Sequence, residues 1–420
     1  MRSRQIAVSI IGNYSLKNRG DEILLKGTIR LFQYLFKKNV KFNVYLLQPD
    51  YDAKFFNEEE RKNVRFFPPI ISFTENRRRS IYLLIWNILY RLFRSNSLLK
   101  LLNKDELLKI SALLQSDYIV YRSIDQLSDI FGFTVFLKNY LQVIFCYNLG
   151  KKLLLHSQTI HLKGKGIRNF IAKLLIKILS NKVKITLREK FSEEWFIKNG
   201  IRYFDLIPPP SIVITYEMMK KYYRDETHKD RIKILITPRV STLRNKVKRK
   251  HMIRLVESLL SKYPTLEVTF WGQSYEEKFN DDDYIEINNI IRNLSSYKDR
   301  IKILDIRNKS LLDTLKLLVD FDLVISERFI TAVNALSLGI PCIIVDPYGG
   351  KNMGIAKLFG FEKYAYPIEH LEPPVIVEKI EEILANKKQL QEFLRRKAEE
   401  LYRDVIIKTW RLIKAVDTNN

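Results

Sequence analysis

A chain of 420 residues is too long for one ordinary core and fits two or three domains. With 46% hydrophobic and 28% charged residues, and only 14 Gly and 13 Pro, wholesale disorder, collagen and mucin-like stalks are excluded. The charge stands out: 72 Lys and Arg against 47 Asp and Glu leave +25, and residues 1–210 hold 36 of the basic and 17 of the acidic side chains. A field of that sign attracts phosphates, anionic lipid or nucleic acid. Cys146 and Cys342 make no disulfide framework and lack zinc-site spacing, and the five histidines form no ligand cluster, so neither metal nor cofactor is expected. No signal peptide is read: the apolar run after Arg2 and Arg4 lasts only from Ile6 to Ile11. Ile81 to Phe93 is broken by Asn87 and Arg91 and falls short of the roughly 20 residues of a membrane span. A cytoplasmic chain is expected.

Short apolar runs alternate with helical periods, which predicts an α/β fold with parallel strands. In the first half the strands are Ile6–Ile11, Phe42–Leu47, Tyr118–Val120, Lys152–Leu155 and Lys184–Leu187. Helical spacing covers Glu22–Phe36, Ile81–Leu102, Thr134–Leu149 and Ile167–Leu179. Pro208, Pro209 and Pro210 then stop regular structure, and the polar stretch to Arg231 reads as a domain connection. Beyond it the cycle restarts, with strands at Ile232–Thr237, Leu266–Trp271, Ile301–Asp305, Leu323–Ser326 and Cys342–Val345. Helices are expected at Met252–Lys262, Leu311–Phe321 and Thr331–Leu338. Two such units suggest two Rossmann-like domains facing a cleft, at 1–215 and 230–375, with charged helices over 376–420.

Three loops follow predicted strand ends, where open α/β sheets bind ligands. The first carries Asn18, Arg19 and Gly20 and opens a helix near Asp21, which in its simplest reading is an N-cap after a glycine turn. The second places Arg239 directly after a strand and then runs to Arg254 with seven Lys or Arg, His251 and no acid. Basic residues oppose the dipole of a helix N-terminus, which is easiest to understand beside a bound anion. Lys246, Lys248, Arg249 and Lys250 read as solvated, and Arg239 as ligand-facing. The third ends a strand at Ser326, opens a helix with Glu327 and Arg328, and reaches Tyr348 and Lys351 in a glycine-bearing loop. Arg239, Arg328 and Lys351, at three strand ends, can clamp a small multiply charged anion.

These segments, in this order, resemble the polysaccharide pyruvyl transferase family. An N-x-G-D-E pattern matches Asn18, Gly20, Asp21 and Glu22, and R-[DE]-x-x-S matches Arg188, Glu189 and Ser192. The pattern D-x-V-I-S-x-R-F…A-L-S-x-G-[IV]-P…Y-x-x-K matches Asp322, Ser326, Arg328, Phe329, Ala335, Leu336, Gly339, Pro341, Tyr348 and Lys351. The resemblance implies a fold similar to GT-B glycosyltransferases and transfer of the enolpyruvyl unit of phosphoenolpyruvate to paired sugar hydroxyls. By it, Arg239 and Arg328 hold the phosphate and carboxylate, with Phe329 close by and Tyr348 and Lys351 on the donor side. Asn18, Gly20 and Asp21 fall on the acceptor side. The family's R-[LF]-H histidine is Ile330 here. A proton donor must then come from elsewhere, and His161 is the first candidate, with Glu327 and His251 behind it. Where the family has glycines, Arg122 and Ser123 follow the Tyr118–Val120 strand, and His161 and Leu162 follow Q-T-I, so the acceptor pocket is altered.

Residues 61–104 hold ten Lys or Arg and one acid, Glu75; residues 151–184 hold nine and none. The first run includes R-R-R-S-I-Y-L-L-I-W-N-I-L-Y-R-L-F-R, which suits either a domain-covering helix or peripheral contact with an anionic bilayer. Membrane contact fits a lipid-linked glycan acceptor at the inner face of the membrane; a polymeric glycan is the other acceptor. No RRM, helix-turn-helix or zinc-finger pattern accompanies the basic runs, so nucleic acid is not the expected partner. Three readings stand: a pyruvyl transferase using phosphoenolpyruvate or another phosphorylated donor, a GT-B glycosyltransferase using a nucleotide sugar, and an inactive family member that binds an anion.

Overall fold

The computed structural model describes residues 4–12, 15–71, 76–122, 125–222, 231–277, 280–347, 349–370 and 372–418. The first sheet is built from β1 (Ile6–Ile11), β2 (Val40–Tyr45), β3 (Val64–Phe67), β4 (Tyr118–Tyr121), β5 (Lys152–Gln158), β6 (Ile185–Leu187) and β7 (Asp205–Leu206). All pair in parallel, in the order β3-β2-β1-β4-β5-β6-β7. The second half begins with β8 (Lys233–Thr237) and β9 (Glu267–Phe270), then a small antiparallel ribbon, β10 (Tyr275–Glu276) and β11 (Asp281–Asp282). It continues through β12 (Ile301–Ile303), β13 (Leu323–Ser326), β14 (Cys342–Asp346) and β15 (Ala365–Pro367), with parallel order β12-β9-β8-β13-β14-β15. The fold is α/β with two Rossmann-like sheets, as the alternating pattern predicts.

The alternation of side chains along each strand sends residues to opposite faces of the first sheet. Val8, Ile10, Val44 and Leu154 bury on one face, with Leu25 and Phe32 of the Arg19–Leu35 helix. Ile119, Tyr121 and Leu155 bury on the other, beneath the helices Arg77–Phe93, Lys104–Leu114, Phe133–Asn148 and Ile167–Ser180.

Two differences from the sequence reading have a local cause. Strands β3, β7 and β15 are not expected from the sequence: β7 and β15 have two and three residues, and the apolar run of β3 is interrupted by the exposed Arg65. The segment after Pro210 is not wholly a polar connection: Ser211–Tyr222 is a helix whose buried Ile212, Val213, Tyr216 and Met219 recur at helical spacing. It packs on the Arg19–Leu35 helix, closely enough that a Cβ at Gly27 would overlap the Pro210 carbonyl. The last helix, Lys387–Asp417, returns from the second half to the first. Arg395 lies against Gly339, while Val405, Leu412 and Ile413 bury with Val8 and Ile10. Among the described residues, no helix is long and apolar enough to cross a membrane.

Candidate active site between the two sheets

Loops leaving the carboxyl ends of both sheets enclose a cavity of about 710 Å³. The second-half wall comes from Arg239 after β8, Gln273 after β9, Asp281 in β11, Arg328, Phe329 and Ile330 after β13, and Lys351 after β14. The first-half wall comes from Asn18, Gly20 and Asp21 after β1, Asp125 after β4 and Arg188 after β6. Leu47, Pro69, Ile71, Phe131 and Val135 make its apolar side.

The cations are held by carboxylates. Arg328 is buried; its Nη2 donates to Asp281 Oδ1 at 3.2 Å and pairs closely with Asp283. Burial alone would lower the pKa of this guanidinium, but the two carboxylates hold it well above its usual value. Asp283 is braced in turn by the backbone N–H groups of Val240, Gln273 and Ser274, at 2.9, 3.0 and 3.1 Å. Burial opposes ionisation of Asp281, yet Arg328 and Arg239 pull its pKa down to about 2.

Between the two halves, Lys351 Nζ reaches Asp125 Oδ2 at 2.5 Å, and Arg188 Nη2 lies 3.9 Å from the same oxygen. These cations overcome burial and hold Asp125 far below the ordinary carboxylate range. Phe329 is clasped between them: the Arg188 guanidinium carbon is 4.2 Å from its ring centroid and Lys351 Nζ is 5.7 Å away.

Asp21 differs from the other lining carboxylates. Burial raises its pKa, and its partner, the fully buried Arg122, offsets only part of that rise. Arg122 also donates from Nη1 to the Asp21 carbonyl at 3.1 Å, which ties the end of β4 to the first turn of the Arg19–Leu35 helix. The helix N-cap is Asn18, not Asp21: Asn18 Oδ1 accepts from Gly20 N at 3.0 Å and from Gln273 Nε2 at 3.2 Å. A Cβ at Gly20 would lie 2.6 Å from Gln273 Nε2 and 3.2 Å from Ile330 Cβ. Gly20 thus lets the first loop close on the side chain that stands in the histidine position.

Seven of the candidate site residues read from the sequence line one cavity, Asn18, Gly20, Asp21, Arg239, Arg328, Phe329 and Lys351, and Ile330 and the motif residue Arg188 line it with them. Tyr348 lies outside the described residues. Glu327 sits behind the wall, its Oε2 accepting from Arg239 N at 3.0 Å, and burial pushes its pKa up to about 7. His161 is buried edge-on against Phe191, with ring centroids 4.8 Å apart, and burial brings its pKa down to about 4. It is not among the residues that line the cavity, which include no histidine among those described. Arg188, Asp125, Gln273 and Asp281 were not foreseen as site residues. Arg188 carried a signal, an arginine ending a buried strand; Asp125 and Gln273 come from loops and Asp281 from the two-residue strand β11, whose courses only the tertiary structure sets.

Residues 18–347 match the family described as polysaccharide pyruvyl transferase. The chain belongs to that family. None of the curated proteins matches it in sequence. Among solved structures, this polysaccharide pyruvyl transferase family member is similar to a glycosyltransferase from Rickettsia africae, with TM-score 0.60 and 14% identity over 100% of both chains. It is also similar to a UDP-N-acetylglucosamine 2-epimerase from Rickettsia bellii (TM-score 0.59, 14% identity, 99% of this chain and 98% of that one). A UDP-GlcNAc 2-epimerase from Neisseria meningitidis bound to UDP-GlcNAc matches at TM-score 0.57 and 11% identity, over 97% of this chain and 99% of that one. At such identities the likeness concerns the fold, which is GT-B-like.

Proposed function

We propose that this protein transfers the pyruvyl unit of phosphoenolpyruvate to two hydroxyls of one sugar, making a pyruvate ketal on a cell-surface glycan or its precursor. The observation that carries this reading is the charge of the cavity wall. Among the described residues six cations line it (Lys138, Arg188, Arg239, Arg244, Arg328 and Lys351) against three carboxylates (Asp21, Asp125 and Asp281). An excess of that size suits a donor bearing both a phosphate and a carboxylate. Arg239, Arg328 and Lys351, at neighbouring strand ends, take the donor, and Phe329 flanks it. The acceptor lies toward the first half, against Leu47, Pro69, Ile71 and the polar Asn139 and Gln142. It is a polymeric or lipid-linked glycan, and the reaction belongs in the cytoplasm at the inner face of the membrane.

Ketal formation adds a proton to the vinyl carbon of the donor and leaves an oxocarbenium-like centre. One sugar hydroxyl adds there, phosphate leaves with its bridging oxygen, and the second hydroxyl closes the ketal. The two hydroxyls release two protons; one replaces that spent on the methyl group and the other leaves with phosphate. Asp21 is the fitting proton carrier, because cations hold Asp125 and Asp281 ionised while burial favours the protonated form of Asp21.

Phosphate release from phosphoenolpyruvate, measured with free and lipid-linked glycans, tests the proposal. Activity in the wild type and its loss in Arg328→Ala are expected. A silent wild type with activity gained in Ile330→His makes the native protein a non-transferring binder. A melting-temperature rise with a nucleoside diphosphate sugar and none with phosphoenolpyruvate replaces the donor by a nucleotide sugar.

A further inference from the structure

The sequence marks the Arg77–Phe93 helix as apolar and basic; the structure adds a second such surface beside it. Both this helix and Ile167–Ser180 pack against the Phe133–Asn148 helix that lies between them. Each buries one stripe and turns another outward. Leu83, Trp86 and Tyr90 face the core, while Ile85, Ile88, Leu92 and Phe93 are 55%, 54%, 69% and 68% exposed. Ala172, Ile176 and Leu179 face the core, while Phe170 and Leu174 are 62% and 47% exposed. Outward apolar stripes on two helices of one face of a sheet are not the pattern of a solvated surface. Exposed basic side chains accompany them: Arg77, Arg78 and Arg91 on the first helix, Arg168 and Lys177 on the second.

We infer that these two helices form a docking surface for an anionic lipid bilayer, with the apolar stripes entering the acyl boundary and the cations meeting headgroup phosphates. A second copy of the chain is the weaker occupant on charge. Residues 151–184 hold no Asp or Glu and residues 61–104 only Glu75, so two such faces would oppose cation to cation. The helix between the two lends Val135, Lys138 and Gln142 to the cavity. Docking therefore sets the first-half wall beside the membrane. The further step, that this wall receives a lipid-linked acceptor from the bilayer, rests on the proposed transferase activity.

The test is co-sedimentation of the full chain with phosphatidylcholine vesicles, with and without phosphatidylglycerol, at physiological ionic strength. Binding only to the anionic vesicles is expected, weakened about tenfold or more by Leu92→Glu and, independently, by Phe170→Glu. Both side chains are exposed, so unchanged thermal melting is the check on folding, and either variant alone suffices if the other fails to fold. No binding, equal binding to neutral vesicles, or binding indifferent to both variants overturns the inference. So does self-association of the wild type that both variants abolish. Neither residue lines the cavity, so phosphate release with a water-soluble acceptor is expected to survive both substitutions. A protein silent with phosphoenolpyruvate that still binds vesicles through Leu92 and Phe170 supports the surface and removes only the transferase reading.

Discussion

Ile330 stands where the family pattern has a histidine, and the residues around it show why the chemistry must move. Its side chain is buried against the first loop, where Gly20 leaves no room for more than a hydrogen, and it brings no titratable atom to the cavity. Asp21, the next residue, in the first turn of the Arg19–Leu35 helix, is the lining carboxylate whose pKa burial raises despite its pairing with Arg122. Asp21→Asn is therefore expected to lower the rate of phosphate release by roughly 10²–10⁴-fold, the usual worth of a positioned acid. The melting-temperature rise on adding phosphoenolpyruvate should persist, because the donor cations lie on the opposite wall. An unchanged rate assigns the proton to another group. The proposed donor cations were legible in the sequence because Arg239 and Arg328 stand two residues past buried apolar strands and Lys351 opens the helix after the glycine-bearing loop that follows a third. Asp125 and Gln273 were not, since they meet Lys351 and Asn18 of the opposite half, and no local pattern encodes that meeting.

At the scale of elements, the strands that flank the site were legible to within a residue or two, because β1, β8, β13 and β14 are continuous apolar runs buried on both faces. The helices that join the halves were harder to see. Lys190–Lys198 is capped by Glu189, whose carboxylate accepts from Ser192 N at 3.0 Å, and it packs on Lys351–Phe359 of the other half. Gly354 permits that approach: a Cβ there would overlap Glu189 Oε2 and lie 2.8 Å from Phe191 N. Gly354→Ala is expected to destabilise the protein by roughly 1–3 kcal/mol, as overpacking does, and to separate the unfolding of the two halves in calorimetry. Glu327, just past β13, ties that strand to the loop after β8 by accepting from Arg239 N. Burial pushes the Glu327 pKa up to about 7 from 4.5. A raised pKa contributes stability that is full below the unfolded value and is lost as pH rises through the folded one. Glu327→Gln keeps a carbonyl for Arg239 N and carries no charge. Its stability relative to wild type should thus rise between about pH 4.5 and pH 8, by on the order of 3 kcal/mol in denaturant titrations. A difference that stays constant across that range places the Glu327 pKa near its ordinary value.

At the scale of the molecule, the last helix decides how far each half stands alone. It starts against the second half, with Arg395 over Gly339, and ends on the first sheet, where Thr409 Oγ1 meets His156 Nε2 at 2.9 Å and Asp417 meets Tyr118 and Lys152 at 2.8 and 2.9 Å. Val405, Leu412 and Ile413 close the face that carries Val8, Ile10 and Leu154. Burying three such side chains is worth roughly 1.5–3 kcal/mol each, which together approaches the 5–15 kcal/mol of a whole domain. The charge pattern adds to the dependence: the first half carries most of the excess of basic residues and repels itself, while this helix seals one of its faces. Ending the chain after residue 403 should therefore unfold the first half selectively. Hydrogen exchange is expected to lose protection along β1, β4 and β5 while β8, β13 and β14 keep theirs, since the second sheet retains Leu394, Ala398 and Leu401. Equal loss in both sheets would mean that the halves fold as one cooperative unit, with the helix a strut through it rather than a cover borrowed by one side.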